Sequence, residues 1–364
     1  MKNTYGNNLT VTLFGESHGE AIGCVLDGVS PGVKIDMDYI NERLFERQAR
    51  GDISTPRRED DAVKFLSGIK NGYTTGTPIA LVIENTNTDS GAYADYELTP
   101  RPGHADFAAE CKYHGFQDRR GGGHFSGRVT AALVAAGAIC RCALEEKGIF
   151  IGTHIKSLGG VCDSDFRYFI EDIEGLKGGH FPTLDKAAGV SMIEKIREAK
   201  NDGDSIGGTL ETAIVGLPAG IGEPWFDTVE GMLSYILFSV PGVKGVEFGD
   251  GFDMCNNKRG SEANDPFVVI DGEVMTSKNS QGGVNGGITN GMPIIFRTAV
   301  KPTPSISKTQ KTVNIATMEN TEISVNGRHD PAIIHRVRAV VDAVSAIAVA
   351  DMLITKYGVD CLSN

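Results

Sequence analysis

The sequence predicts an α+β protein. Short β-branched runs are spread along the whole chain, long helical periodicities lie between them, and the two do not alternate in the regular way that builds a doubly wound parallel sheet. The strand runs are LTVTLF (9–14), PIALVI (78–83), LETAIV (210–215) and PIIFRTAV (293–300). The helical ones are DYINERLFERQA (38–49), RVTAALVAAGAICRCALEEKG (128–148), AAGVSMIEKIREAKN (187–201) and the tail from Pro331. That tail has the fullest punctuation. Asp330 is expected to N-cap it, Pro331 suits its first turn and Gly358 can close it.

Length and composition suit one large globular domain or two: 364 residues, 40% hydrophobic and 23% charged. A net charge of −12 argues against nonspecific nucleic-acid binding. Against that background the local arginine pairs stand out: Arg47 with Arg50, Arg57 with Arg58, Arg119 with Arg120, and Arg336 with Arg338. Each is either solvated surface or part of an anion pocket. Seven scattered cysteines without a C-x-x-C read as reduced, mostly buried thiols, and no metal site is expected. The N-terminus lacks the basic and apolar regions of a signal peptide, and Asp342 and Asp351 interrupt the longest apolar stretch. A cytoplasmic protein without a membrane span is the expectation.

Glycine is the informative excess, with 46 residues clustered in RRGGGHFSGR (119–128) and SQGGVNGGITNG (280–291). The first cluster runs into a helix, whose N-terminal amides can meet an anion. Neither cluster is a standard nucleotide-binding loop. Near the N-terminus, GESHG (15–19) fits the G-x-S-x-G pattern of a hydrolase elbow around Ser17. An elbow needs a helix next, however, and EAIGCVLDGV is strand-like. His18 is the stronger candidate, because histidine moves protons near neutral pH. His104 in RPGHAD (101–106) and His329 in GRHDP (327–331) sit in similar polar turns, which suggests one assembled site.

These strings together resemble the chorismate synthase family. GESHG, RPGHAD, GDSIG (203–207), GLPAGIGEP (216–224), VKGVEFGDGF (243–252), KPTPSI (301–306) and GRHDP occur in that family's order and spacing, from about residue 5 to residue 355. The resemblance implies a single domain over residues 1–364, with a helical layer sandwiched between antiparallel β-sheets. It also implies a cytoplasmic homotetramer with no nucleic-acid or membrane partner. The implied reaction is a 1,4-anti elimination, in which 5-enolpyruvylshikimate 3-phosphate loses phosphate from C3 and hydrogen from C6 to give chorismate. Reduced FMN would be required without net consumption.

By the same resemblance, His18 serves the departing phosphate, His104 holds the flavin's protonation state near N1 and O2, and Asp330 is the candidate for taking the C6 proton through flavin N5. His104, His124, Phe125, Ser126, Gly286, Lys301, Thr303, Ser305 and Arg328 stand at flavin positions. His18, Arg47, Arg50, Ser126, Arg128 and Arg328 stand at substrate positions. Lys301, Thr303 and Ser305 are donors of the kind a flavin phosphate needs, and arginine suits a substrate with a phosphate and two carboxylates.

The chain departs from the family pattern at ERQARG (46–51), GGGHFSGR (121–128), PGVKG (241–245) and HRVR (335–338). The second loses an arginine beside the flavin, the third an asparagine contact, and in the last Arg336 is the match. Bifunctional members reduce their own flavin with NAD(P)H. With no dinucleotide fingerprint or added domain evident, a monofunctional enzyme is expected. A flavin oxidoreductase and a noncatalytic anion-binding protein are the competing classes.

Overall fold

A computed structural model describes residues 2–55, 60–86, 98–325 and 330–363 of the chain. All four expected strand runs are strands, and they belong to two five-stranded sheets. The first sheet has the order Thr4–Tyr5, Thr10–Gly15, Ala21–Asp27, Ile79–Glu84, Val63–Phe65, with every neighbour antiparallel. The second has the order Val243–Phe248, Ile294–Val300, Gly208–Val215, Phe150–Leu158, Val161–Cys162, again antiparallel throughout. In Ile79–Glu84 and Ile294–Val300 buried residues alternate with less buried ones, so each strand gives one face to the core.

Two long helices fill the space between the sheets. The central helix, Thr130–Glu146, lies on the first sheet, and the C-terminal helix, Ile334–Tyr357, lies on the second. The two helices pack on each other, giving a sheet–helix–helix–sheet stack with one continuous apolar core. This is the expected α+β sandwich, its helical layer two helices deep. Gly137 sets the closeness of the crossing. A Cβ there would lie 2.4 Å from the Ala343 carbonyl oxygen and 2.5 Å from its Cβ. Any side chain at Gly137 would push the helices apart. The segment Gly127–Glu146 is apolar and long enough to cross a membrane, but it is packed inside this stack.

The aspartates that interrupt the apolar tail are both buried and paired. Asp351 accepts the backbone N–H groups of Asn7, Asn8 and Leu9 and so ties the N-terminal segment to the C-terminal helix. Asp342 faces Arg141 at 3.2 Å and Arg338 at 3.3 Å, and the Thr153 hydroxyl donates to it at 2.6 Å. Arg338 in turn reaches Glu46 at 3.1 Å.

Three expectations are corrected. Asp330 does not cap the last helix. The cap is Ile333, without a side-chain bond, because the Asp330 carboxylate is drawn off to Thr55 N–H and Arg336. Pro331 does not lie in its first turn either, since the helix begins at Ile334, whereas Gly358 does close it, at φ 87°. The thiols are all unpaired, but only Cys24 and Cys140 are buried, while Cys111, Cys162 and Cys255 are exposed. Five helices, Asp106–Tyr113, Phe169–Leu176, Val229–Leu237, Gly251–Asn257 and Gly260–Ala263, went unread because each is short.

Candidate active site

The first turns of the central and C-terminal helices line a single cleft of about 780 Å³, large enough for a cofactor and a small substrate. Its walls come from distant parts of the chain: Leu13, Arg47 and Thr55, the 101–105 turn, residues 121–130 with Leu133, residues 238–244, residues 301–305, and Asp330 with the 333–340 turns. Two helix N-termini and several cationic side chains make this an anion-binding site in an acidic protein.

The two glycine-bearing turns are stacked. Strands Thr10–Gly15 and Ala21–Asp27 form a hairpin whose turn carries GESHG, so the chain there is strand–turn–strand. That geometry excludes the hydrolase elbow, and Ser17 is fully buried. The Gly121–Gly123 turn lies against it, with Ser17 N–H donating to the Gly123 carbonyl and His124 Nδ1 to that of Gly15. Gly121 has φ 61°, and a Cβ on it would sit 2.0 Å from His18 Cε1. The His18 ring thus occupies the place of that missing side chain. His18 is 7% exposed and lies behind Gly121, which itself lines the cleft.

His104 lines the cleft, as do His124, Phe125, Ser126, Lys301, Thr303, Ser305, Arg47, Arg128 and Asp330. Asp330 is held from both sides. Thr55 N–H donates to Oδ1 at 2.7 Å, and Arg336 donates to Oδ2 at 2.7 Å while also bonding the Arg47 carbonyl. The carboxylate is therefore oriented by two donors. Lys301 donates to the Gly103 carbonyl, and burial, with the nearby Lys244 ammonium, holds its amine below the usual value. Thr303 Oγ1 is buried with no hydrogen-bond partner.

Arg128 is pinned inside the wall: it pairs with Asp61 and donates to Asn85 Oδ1 and the Glu84 carbonyl. Asp61 also faces Arg47 at 3.5 Å, so one buried carboxylate balances two of the cleft's arginines.

Other expected site residues lie elsewhere. Arg50 stacks on the Phe45 ring at 3.7 Å and does not line the cleft. Gly286 belongs to a hairpin, Val284–Asn285 with Ile288–Thr289, whose Gly287 packs on Glu223 and Thr228; it is outside the cleft. Arg328, His329, Arg57 and Arg58 lie outside the described residues. Arg119 and Arg120 pair with Glu110 and Asp118, and Arg338 is in the helix core. Asp61, Thr55, Lys244, Arg101 and Asp106 went unread as parts of the site. Only the last two had a sequence signal, since they begin and end RPGHAD.

The fold and cleft define a two-sheet α+β protein with a cation-rich cleft suited to an anionic ligand. The family model for chorismate synthase matches residues 9–354. A chorismate synthase of Pyrococcus abyssi is 46% identical over 349 residues, covering 96% of this chain and 97% of that protein. One of Methanosarcina acetivorans is 43% identical over 353 residues, covering 97% and 96%. A chorismate synthase crystal structure superposes with a TM-score of 0.77 at 28% identity, covering 97% of this chain and 94% of that one. The chain belongs to the chorismate synthase family. It is a carbon–oxygen lyase acting on a phosphate ester, and it releases phosphate from 5-enolpyruvylshikimate 3-phosphate to give chorismate for aromatic amino acid biosynthesis.

Proposed function

We propose that the cleft carries out this elimination with reduced FMN bound beside the phosphate ester. The observation that carries the flavin reading is the 301–305 run, where an ammonium and two hydroxyls meet at one edge of the cleft and the Thr303 hydroxyl is buried without a partner. Such an orphaned donor is unfavourable unless a ligand oxygen completes it. Reduced FMN, when bound, supplies electron density that assists departure of the phosphate and is recovered, so there is no net redox change.

The chain's own residues then divide the work. Lys301, Thr303 and Ser305 hold the flavin phosphate, while His124, Phe125 and Ser126 border the cofactor. His104 holds a proton at the flavin's N1 and O2 edge. Arg47, with Arg128 and Arg328, receives the anionic groups of the substrate, whereas Arg50, stacked on Phe45, takes no part in the cleft. Asp330, its carboxylate oriented by Thr55 and Arg336, takes the C6 proton. His18 supplies a proton to the leaving phosphate across Gly121, where no side chain intervenes.

The chain acts as one unit, assembles as a cytoplasmic homotetramer and takes its flavin already reduced. Gly286, outside this chain's cleft, would reach a flavin only from a neighbouring copy.

The test is anaerobic turnover. Dithionite-reduced FMN in catalytic amount is expected to support many turnovers, whereas oxidised FMN with NADPH supports none. Consumption of one reductant per product would instead mark an oxidoreductase. Lys301→Ala removes a charge-assisted partner worth roughly 1.5–3 kcal/mol, so FMN affinity should fall about ten- to a hundredfold. Unchanged affinity in a flavin fluorescence titration would put the phosphate elsewhere.

A further inference from the structure

The turn that carries His104 closes on itself. The Arg101 backbone N–H donates to Asp106 Oδ2 at 2.9 Å, and its guanidinium holds the same carboxylate through Nε at 2.8 Å and through a terminal nitrogen to Oδ1 at 2.9 Å. The His104 N–H returns to the Arg101 carbonyl at 3.2 Å. Asp106 is the first residue of the helix Asp106–Tyr113, where the helix dipole also favours a negative charge. Burial alone would raise its carboxyl, yet hydrogen bonds from His104 and Arg101 hold it well below the usual range.

The ionised Asp106 Oδ1 stands 2.6 Å from His104 Nδ1. A carboxylate oxygen is an acceptor only, so a contact this short requires the hydrogen on Nδ1. The guanidinium nitrogen 3.2 Å from the same Nδ1 is the longer contact, and an Nδ1 that carries a hydrogen toward Asp106 has no lone pair left to accept from it. With Nδ1 committed, Nε2 is the nitrogen left to act. It lies against Gly122, where a Cβ would come to 3.4 Å, and the ring lines the cleft.

We propose that Asp106 is a positioning residue for His104: it fixes the Nδ1–H tautomer and turns Nε2 into the cleft. Arg101 is the clamp that keeps Asp106 in place. The catalytic consequence rests on the reading above in which His104 faces the flavin; the tautomer does not. An imidazole anchored in this way can hold a proton against a negatively charged ligand edge without rotating. The same arrangement makes a carboxylate effective behind a catalytic or metal-bound histidine.

The experiment uses the full-length protein with ¹⁵N-labelled histidine and no flavin. Long-range ¹H–¹⁵N spectra are recorded across pH, with the His104 signals assigned by their loss in His104→Gln. The wild type should show a protonated Nδ1 throughout; a neutral form protonated on Nε2 would overturn the proposal without any variant. Asp106→Asn replaces the acceptor with an amide that can donate to Nδ1, and it should reverse the tautomer. With pre-reduced FMN its kcat should fall about 10–100-fold while KM for the phosphate ester stays near the wild-type value, since Asp106 does not line the large cleft. An unchanged spectrum in Asp106→Asn overturns the proposal. A reversed tautomer with undiminished kcat would leave Asp106 as the tautomer-setting group and defeat the flavin-side role of His104.

Discussion

His18→Ala is expected to slow single-turnover elimination with pre-reduced FMN by about 10²–10⁴-fold, the usual contribution of a positioned general acid. Ser17→Ala should lose far less, although the two residues are adjacent. The reason is structural. Ser17 is fully buried between two stacked turns, its hydroxyl has no hydrogen-bond partner, and no helix follows to make it a nucleophile's seat. His18 sits one backbone away from the cleft, with its ring in the space where a Gly121 side chain would be. Both variants should bind flavin normally, because neither residue lines the cleft. If Ser17→Ala proved as damaging as His18→Ala with folding and flavin binding intact, the serine would have to be reconsidered as a participant.

Asp342→Ala should produce the largest loss of stability. The carboxylate is buried between the guanidinium groups of Arg141 and Arg338, themselves 2% and 1% exposed. Truncating it leaves two buried cations short of a counter-charge and Thr153 without its acceptor. Removal of one partner from a buried ion network typically costs about 3–5 kcal/mol. Equilibrium urea unfolding should register that loss, and Asp342→Leu should not recover it, since the arginines stay. A change below about 1 kcal/mol would mean that Glu46 and Glu145, which also pair with these arginines, satisfy them alone.

Much of this molecule is legible from its sequence because the signals are local. Period-two runs such as PIIFRTAV must put alternate residues on one face, and that strand shows the full alternation. The apolar stretch after Arg128 must be a helix buried nearly all round, as it is. The polar strings identify the chemistry for the same reason: RPGHAD is a self-contained turn whose first, fourth and last side chains meet. What the sequence reading misplaced depended on partners far along the chain. Asp330 has the look of a helix cap, yet Thr55 and Arg336 take its carboxylate. Asp342 and Asp351 look like breaks in an apolar helix, but each takes partners at least 180 residues away, Asp342 in addition to Arg338 on its own helix.

The sequence by itself determined the family, the α+β class, and several of the side chains that line the cleft, among them His104, His124, Ser126, Lys301, Thr303 and Ser305. Only the tertiary structure decided that the helical layer is two helices deep, that Gly137 sets their spacing, and that His18 stands behind Gly121 and not in the open cleft. It also decided that Arg128 is largely occupied by Asp61 and that Arg50 is turned onto Phe45. The physical reason is that residue type sets which interactions a side chain can make, while burial and proximity, which no local pattern encodes, choose the partner that completes it.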